Sequence, residues 1–298
     1  MSSDRATAPR IGIFDSGVGG LSVLAALRRS LPAVDCSYLA DSRHTPWGDR
    51  PAHWIEARCL QLAEALLTRG ADLILVACNT GTTQAIASLR QRWPTLPLVG
   101  VEPGIKPAVA ASRNGRVAVM ATRGTLRSPR VQRLLDEHTP PHVQMLRLPC
   151  PGLADAIELA PLDPTPLEAA LDGHARTLRE ADVDAVALGC THYPLVAPLL
   201  QRRLGPQVRL IDTGEAVARR CADLLGLACG GDGHGAPGGQ VELLTTGDGR
   251  LLARAAGHWL GLHEPVHLLS LPDPEPGEAP EAVAQAGPEA GPAGRVHG

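Results

Sequence analysis

Two cysteines, Cys78 and Cys190, each end an aliphatic run and open a small polar stretch: Ala71-Asp-Leu-Ile-Leu-Val-Ala-Cys78-Asn-Thr80 and Val183-Asp-Ala-Val-Ala-Leu-Gly-Cys190-Thr-His192. The two runs read as copies, each with an Asp in second place. A thiol carries or releases a proton according to its surroundings, and one in each half of the chain suggests a site made of two facing half-sites. That arrangement suits a reaction in which a proton leaves one face of a carbon and returns to the other.

The neighbours refine this reading. Asn79 and Thr80 place donors beside Cys78, at a strand end where a following helix dipole would favour thiolate. A buried strand cysteine with an Asn-Thr helix cap reads equally well from this segment alone, and the second copy tips the balance. There Thr191 mirrors Asn79, and His192 stands two residues after Cys190, imidazole being the usual partner of a thiol near neutral pH. Asp15-Ser16-Gly17-Val18-Gly19-Gly20 follows a predicted strand and puts a carboxylate at its end. Free N–H groups of the next helix could bind an anion there. Alone the motif reads as an ordinary glycine-rich turn, for it lacks the P-loop Lys and the dinucleotide spacing. The loop Asp41 to Gly48, with Pro46-Trp47-Gly48, could wall a crevice or simply face solvent. Cys150-Pro-Gly opens a helix carrying Glu158, and both residues have plain packing or solvated readings.

Composition narrows the classes. A hydrophobic share of 44% with 20% charged residues is that of a soluble globular protein, and a formal charge of -3 gives no basic footprint for nucleic acid as main ligand. No apolar run spans a bilayer and the first ten residues lack a signal-peptide core, so a cytoplasmic protein without membrane attachment is expected. Seven cysteines, an odd number, then imply free thiols. Cys36, Cys59, Cys221 and Cys229 lie in apolar or helical stretches and are expected to be buried. With no Cys-x-x-Cys pair, a metal site is not expected.

The elements that must position these residues alternate. Predicted strands cover residues 10–14, 37–40, 73–77, 98–101, 117–120, 143–148, 185–188, 208–211 and 241–245. Helical spacing covers 21–29, 51–69, 82–92, 127–138, 166–180, 194–204 and 215–227. Strand-helix alternation implies an α/β protein. The repeat extends to the first strand of each half, Ile11 to Gly17 and Val117 to Gly124, implying two similar doubly wound α/β domains with mostly parallel sheets and the active site between them. Asp15, Ser16, Cys78 and Cys190 all fall at strand carboxyl ends, where such folds bind ligands. Residues 230–239 have the composition of a flexible loop, and residues 272–298 that of an unstructured tail.

Taken together, Ile11-Gly-Ile-Phe-Asp-Ser-Gly-Val-Gly-Gly-Leu21, Asp41-Ser with Pro46-Trp-Gly48, Ala77-Cys-Asn-Thr80, Ala121-Thr-Arg-Gly-Thr125, Leu188-Gly-Cys-Thr-His-Tyr-Pro194, Ile211-Asp-Thr-Gly-Glu-Ala216 and Thr246-Gly-Asp248 resemble, in this order, the glutamate racemases of the aspartate/glutamate racemase family. The resemblance implies a cofactor-independent isomerase that supplies D-glutamate for peptidoglycan. In it Cys78 would act on D-glutamate and Cys190 on L-glutamate. Asp15 would support Cys78 and His192 would support Cys190, with Glu158 a more distant helper. Ser16, Trp47, Gly48, Asn79, Thr80, Thr191 and His192, with Asp15, would line the substrate site. It also implies one domain from 8–104 plus 211–268, a second inserted at 105–210, and a tail from 269 to 298; a homodimer is left open. Ser42 and Trp47 stand where the family usually has Thr and Tyr. Rival readings are a two-thiol enzyme acting on aspartate or a hydantoin, a two-lobed amino-acid-binding protein, and a redox-sensing thiol protein.

Overall fold

Aliphatic runs too short for helices, and apolar on both faces, become parallel strands that need a helix on each side. The computed structural model describes residues 8–229 and 238–274. In chain order it comprises β1 (Arg10–Asp15), α1 (Leu21–Ser30), β2 (Asp35–Ala40), α2 (Ala52–Thr68), β3 (Leu73–Val76), α3 (Asn79–Arg92) and β4 (Leu98–Gly100). A second set follows: α4 (Ile105–Ala111), β5 (Arg116–Ala121), α5 (Arg123–Arg127), α6 (Pro129–His138), β6 (Gln144–Pro149), α7 (Leu153–Leu159), α8 (Thr165–Glu180), β7 (Ala185–Leu188), α9 (Ala197–Leu204) and β8 (Arg209–Ile211). The chain closes with α10 (Gly214–Leu225), β9 (Val241–Thr245), α11 (Gly249–Leu260) and β10 (Val266–Leu268).

Two parallel sheets result, of order β10-β9-β2-β1-β3-β4 and β6-β5-β7-β8. The order β2-β1-β3-β4 recurs as β6-β5-β7-β8, so the sequence repeat is a repeat of topology. β3 and β7, which lead to the two cysteines, are buried along their whole length. Leu21, Leu24 and Leu27 of α1 pack with α10 and α11 on one face of the first sheet, and Leu62 and Leu66 of α2 with Ile86 and Leu89 of α3 on the other. The second sheet is held between α7, α8 and α9 on one face and α4, α5 and α6 on the other.

All nine predicted strands coincide with observed ones. Sequence periodicity missed β10, a three-residue strand, and α4 and α5, which are too short to show a period. It also missed α11, whose pattern Gly257 interrupts. α3 begins at Asn79 rather than 82 because the Cys78 side chain caps it, accepting from Gly81 N–H. Cys36, Cys59 and Cys221 are buried, but Cys229 is exposed, correcting the expectation that it is internal: it lies beyond Gly226, whose left-handed conformation ends α10.

Residues 269–274, assigned from sequence to the tail, run along the first lobe instead. Leu269 N–H donates to Thr245 O at 2.8 Å, and Leu269 and Leu271 pack against the core beside α2. The rest of the expected tail, 275–298, and positions 230–237 of the expected loop lie outside the described residues. Among the described residues no helix is long and apolar enough to cross a membrane.

Candidate active site

Because β1, β3 and β7 are parallel within their sheets, their carboxyl ends deliver Asp15, Cys78 and Cys190 to the mouth between the lobes. A tight cavity of about 20 Å³ lies there, well below the range of occupied small-molecule sites. Its walls include Ser16, Trp47, Gly48, Cys78, Asn79 and Thr80 from the first lobe and Cys190, Thr191 and His192 from the second. Every residue expected to line a substrate site borders it except Asp15, which stands behind the wall, as does Glu158, the expected helper.

Cys78 is the N-cap of α3. Its sulfur accepts from Gly81 N–H at 3.3 Å and lies 3.7 Å from Ser16 Oγ. Burial pushes the thiol well above its ordinary pKa, the Asp15 charge adds to that, and Gly81 N–H and the Ser16 hydroxyl oppose it. Asp15 is wholly buried, and Ser16 Oγ links it to Cys78, donating to Asp15 Oδ1 at 3.3 Å. Burial raises the Asp15 pKa, although His192 and the N–H groups of Ser16 and Gly20 work the other way.

The second thiol has a different environment. Cys190 Sγ is 3.6 Å from His192 Nδ1, and His192 Nε2 is 2.9 Å from Glu158 Oε1. Burial alone would lower the His192 pKa, but the Cys190 sulfur and the Glu158 carboxylate outweigh it and hold it well above the ordinary value. Glu158, read from sequence as a distant helper, is thus in direct contact with the imidazole. Thr191 Oγ1 donates to Asp15 Oδ2 at 3.3 Å, and the Thr191 carbonyl accepts from Ser22 Oγ at 2.8 Å. Each lobe therefore braces the other's half-site.

The glycine-rich turn serves this contact between lobes. Gly20 N–H donates to Asp15 Oδ2 at 2.5 Å and Val18 N–H to Glu158 Oε1 at 3.1 Å. The anion site suspected in the turn is filled by the protein's own carboxylates. A methyl group on Gly17 would overlap Glu158, and one on Gly19 would overlap the His192 ring.

Sequence reasoning gave no site role to Thr122 and Thr125, which also line the cavity. Their hydroxyls form a triangle with Thr80: Thr80 Oγ1 is 3.2 Å from each, and Thr122 donates to Thr125 at 3.0 Å. The repeat carried the signal, since Thr122 follows β5 as Ser16 follows β1. Among the described residues no Lys or Arg borders the cavity, so an anionic ligand would meet hydroxyls and backbone N–H groups there. Cys150 and the Tyr193 hydroxyl lie deeper. Burial pushes the Cys150 thiol up to about 12, and Tyr193 Oη makes no well-formed hydrogen bond.

Residues 21–221 match the model of the family described as Asp/Glu/hydantoin racemase. A glutamate racemase of Ectopseudomonas mendocina is 47% identical over 216 residues, 72% of this chain and 82% of its own length. Among solved structures, a glutamate racemase of Bacillus anthracis superposes with a TM-score of 0.75 at 29% identity, covering 89% of this chain and 98% of that one. The Escherichia coli glutamate racemase, in complex with L-glutamate and the activator UDP-MurNAc-Ala, superposes with a TM-score of 0.72 at 30% identity, covering 85% and 95%.

Proposed function

The chain belongs to the Asp/Glu/hydantoin racemase family, and from that premise we propose that it interconverts L- and D-glutamate by moving protons between two thiols, without pyridoxal phosphate or another cofactor. The observation that carries this reading is a pair of cysteines at equivalent strand ends, bordering one cavity yet differently partnered: Cys78 by Ser16 and Asp15, Cys190 by His192 and Glu158.

The α-hydrogen of an amino acid is a very weak acid, so the base must meet it in a dry, preorganised site. With L-glutamate bound, the Cys190 thiolate, facing the His192 imidazolium, takes the α-proton. The bonding pair left on Cα spreads into the neighbouring carboxylate. Cys78 gives its proton to the opposite face, completing D-glutamate, and the new thiolate is met by Gly81 N–H and the Ser16 hydroxyl. The D-enantiomer runs the same steps backwards. Burial favours the protonated form of Cys78, the form that the step from L-glutamate requires. Ser16, Asn79, Thr80 and Thr191 hold the groups on Cα, and the Thr80, Thr122 and Thr125 hydroxyls supply donors for a second carboxylate. The physiological role that fits is supply of D-glutamate to peptidoglycan synthesis in the cytoplasm.

Incubating the purified chain with L- or D-glutamate in deuterated water tests the proposal. Racemised product carrying deuterium at the α-carbon is expected from either hand. No exchange with either would sink it, and faster turnover of aspartate would replace the substrate while keeping the chemistry.

A further inference from the structure

Behind the Trp47 wall lies a polar cluster with no part in the proton transfer. Asp41, at the end of β2, is wholly buried and accepts from four side chains. Arg58 of α2 approaches with Nη2 at 2.6 Å from Oδ1 and Nε at 3.1 Å from both oxygens. Thr246 Oγ1 donates at 2.7 Å, His44 Nδ1 lies at 3.2 Å, and the Trp47 indole N–H donates to Oδ2 at 3.2 Å. Arg58 is itself fully buried. Its Nη1 donates to Gln61 at 3.0 Å and to the carbonyl of Pro272 at 2.8 Å. One residue on, Asp273 Oδ1 meets His44 Nε2 at 2.8 Å.

Two of these anchors thus come from residues 269–274, which cross the first lobe after β10. The opposite end of the cluster is the indole, and its ring borders the cavity with Cys78. The ring edge is close to α3: a methyl on Gly81 would sit 3.1 Å from Trp47 Cζ3. The next residue, Gly48, presses its carbonyl on Gly124 of the second lobe. A buried carboxylate gripped by several donors has one arrangement in which all are satisfied, so the position of the indole is tied to that of the C-terminal segment.

We propose that Arg58, together with Pro272 and Asp273, is a positioning device for the Trp47-Gly48 wall of the substrate cavity. Arg58 touches nothing in the cavity. It orients Asp41, Asp41 holds the indole, and the segment after β10 fixes Arg58 from behind. Lys cannot replace it fully, because an ammonium lacks the planar fork that serves Asp41, Gln61 and a backbone carbonyl together. The activity readout of this proposal rests on the racemase reading, whereas its spectroscopic readout does not.

The test uses the full-length chain and the Trp47 indole ¹H–¹⁵N resonance, assigned by its loss in Trp47→Phe. Arg58→Gln is expected to shift that resonance and raise KM for both enantiomers about tenfold, since small misplacements at a site have large kinetic effects. Arg58→Lys should restore part of both. The Arg58→Gln and Trp47→Phe effects on KM should be non-additive, as they are for residues in one network. Asp273→Ala, at a residue whose side chain is 58% exposed, keeps the test open if Arg58→Gln does not fold, with the same resonance shift and a smaller rise in KM expected. An unmoved resonance with unchanged KM in the variants that fold, or purely additive effects, would overturn the proposal. Absence of racemisation in the unmodified chain would instead remove the functional reading and leave the resonance to decide this one.

Discussion

Glu158 Oε1 lies 2.9 Å from His192 Nε2 and 3.1 Å from the backbone nitrogen of Val18. One carboxylate oxygen of the second lobe therefore fixes the imidazole beside Cys190 and fastens that lobe to the glycine turn of the lobe bearing Cys78. Tuning of one thiol and spacing between the two thiols depend on the same atom.

Glu158→Gln removes the charge but keeps the size of the side chain. Because Glu158 helps to raise the His192 pKa, its loss lets the imidazolium give up its proton at lower pH. The alkaline limb of the kcat/KM profile is expected to move down by about 1 unit or more, with kcat at neutral pH falling about tenfold or more. An alkaline limb that stays in place would detach Glu158 from the chemistry.

Unequal partners do not mean unequal efficiency in the two directions. The enantiomers have equal free energies in achiral solution, so kcat/KM must be the same for both at every pH. His192→Asn is expected to change kcat and KM unequally for L- and D-glutamate while their ratio remains common to both. Progress curves from each enantiomer measure this. Equal changes in kcat for both hands would contradict the assignment of His192 to one side.

Much of this site was legible in the sequence because duplication repeats both topology and chemistry. Cys78 and Cys190 could be matched to equivalent strand ends, and Asp15 to the turn after β1, before any contact was known. What escaped depended on contacts between lobes. The family resemblance names Glu158 as a distant helper, but its direct contact with His192 escapes, because the two are far apart in sequence and nothing local distinguishes Glu158 from a solvated helix residue. Thr122 and Thr125 stand in a quoted motif without an assigned role, and in the structure they also cap a helix: Thr122 Oγ1 accepts from Thr125 N–H at 3.2 Å. Pro272 contributes a backbone carbonyl, so its side chain carries no signal. The glycines of the turn read as freedom of the backbone, whereas Gly17 and Gly19 are required because side chains of the other lobe occupy the space of a Cβ.

That requirement gives a test of lobe spacing. Gly17→Ala and Gly19→Ala should each push the lobes apart or displace Glu158 and His192. Overpacking of this kind costs about 1–3 kcal/mol. Both variants are expected to unfold at lower temperature and to lose kcat by at least about tenfold, a thiol being sensitive to displacements well under 1 Å or so. Calorimetry and initial rates together check this. Full activity in Gly19→Ala would mean that the approach of His192 to the turn is dispensable.

Removing one thiol at a time separates the two hands. Without Cys78, the Cys190 thiolate can still take the α-proton of L-glutamate and return it to the same face. Cys78→Ala should therefore lose racemisation by about 10³-fold or more yet retain slow exchange of the L-enantiomer with deuterated water. Cys190→Ala should show the mirror result with D-glutamate. Exchange of the wrong hand would invert the assignment, and full racemisation in either variant would eliminate the two-thiol mechanism.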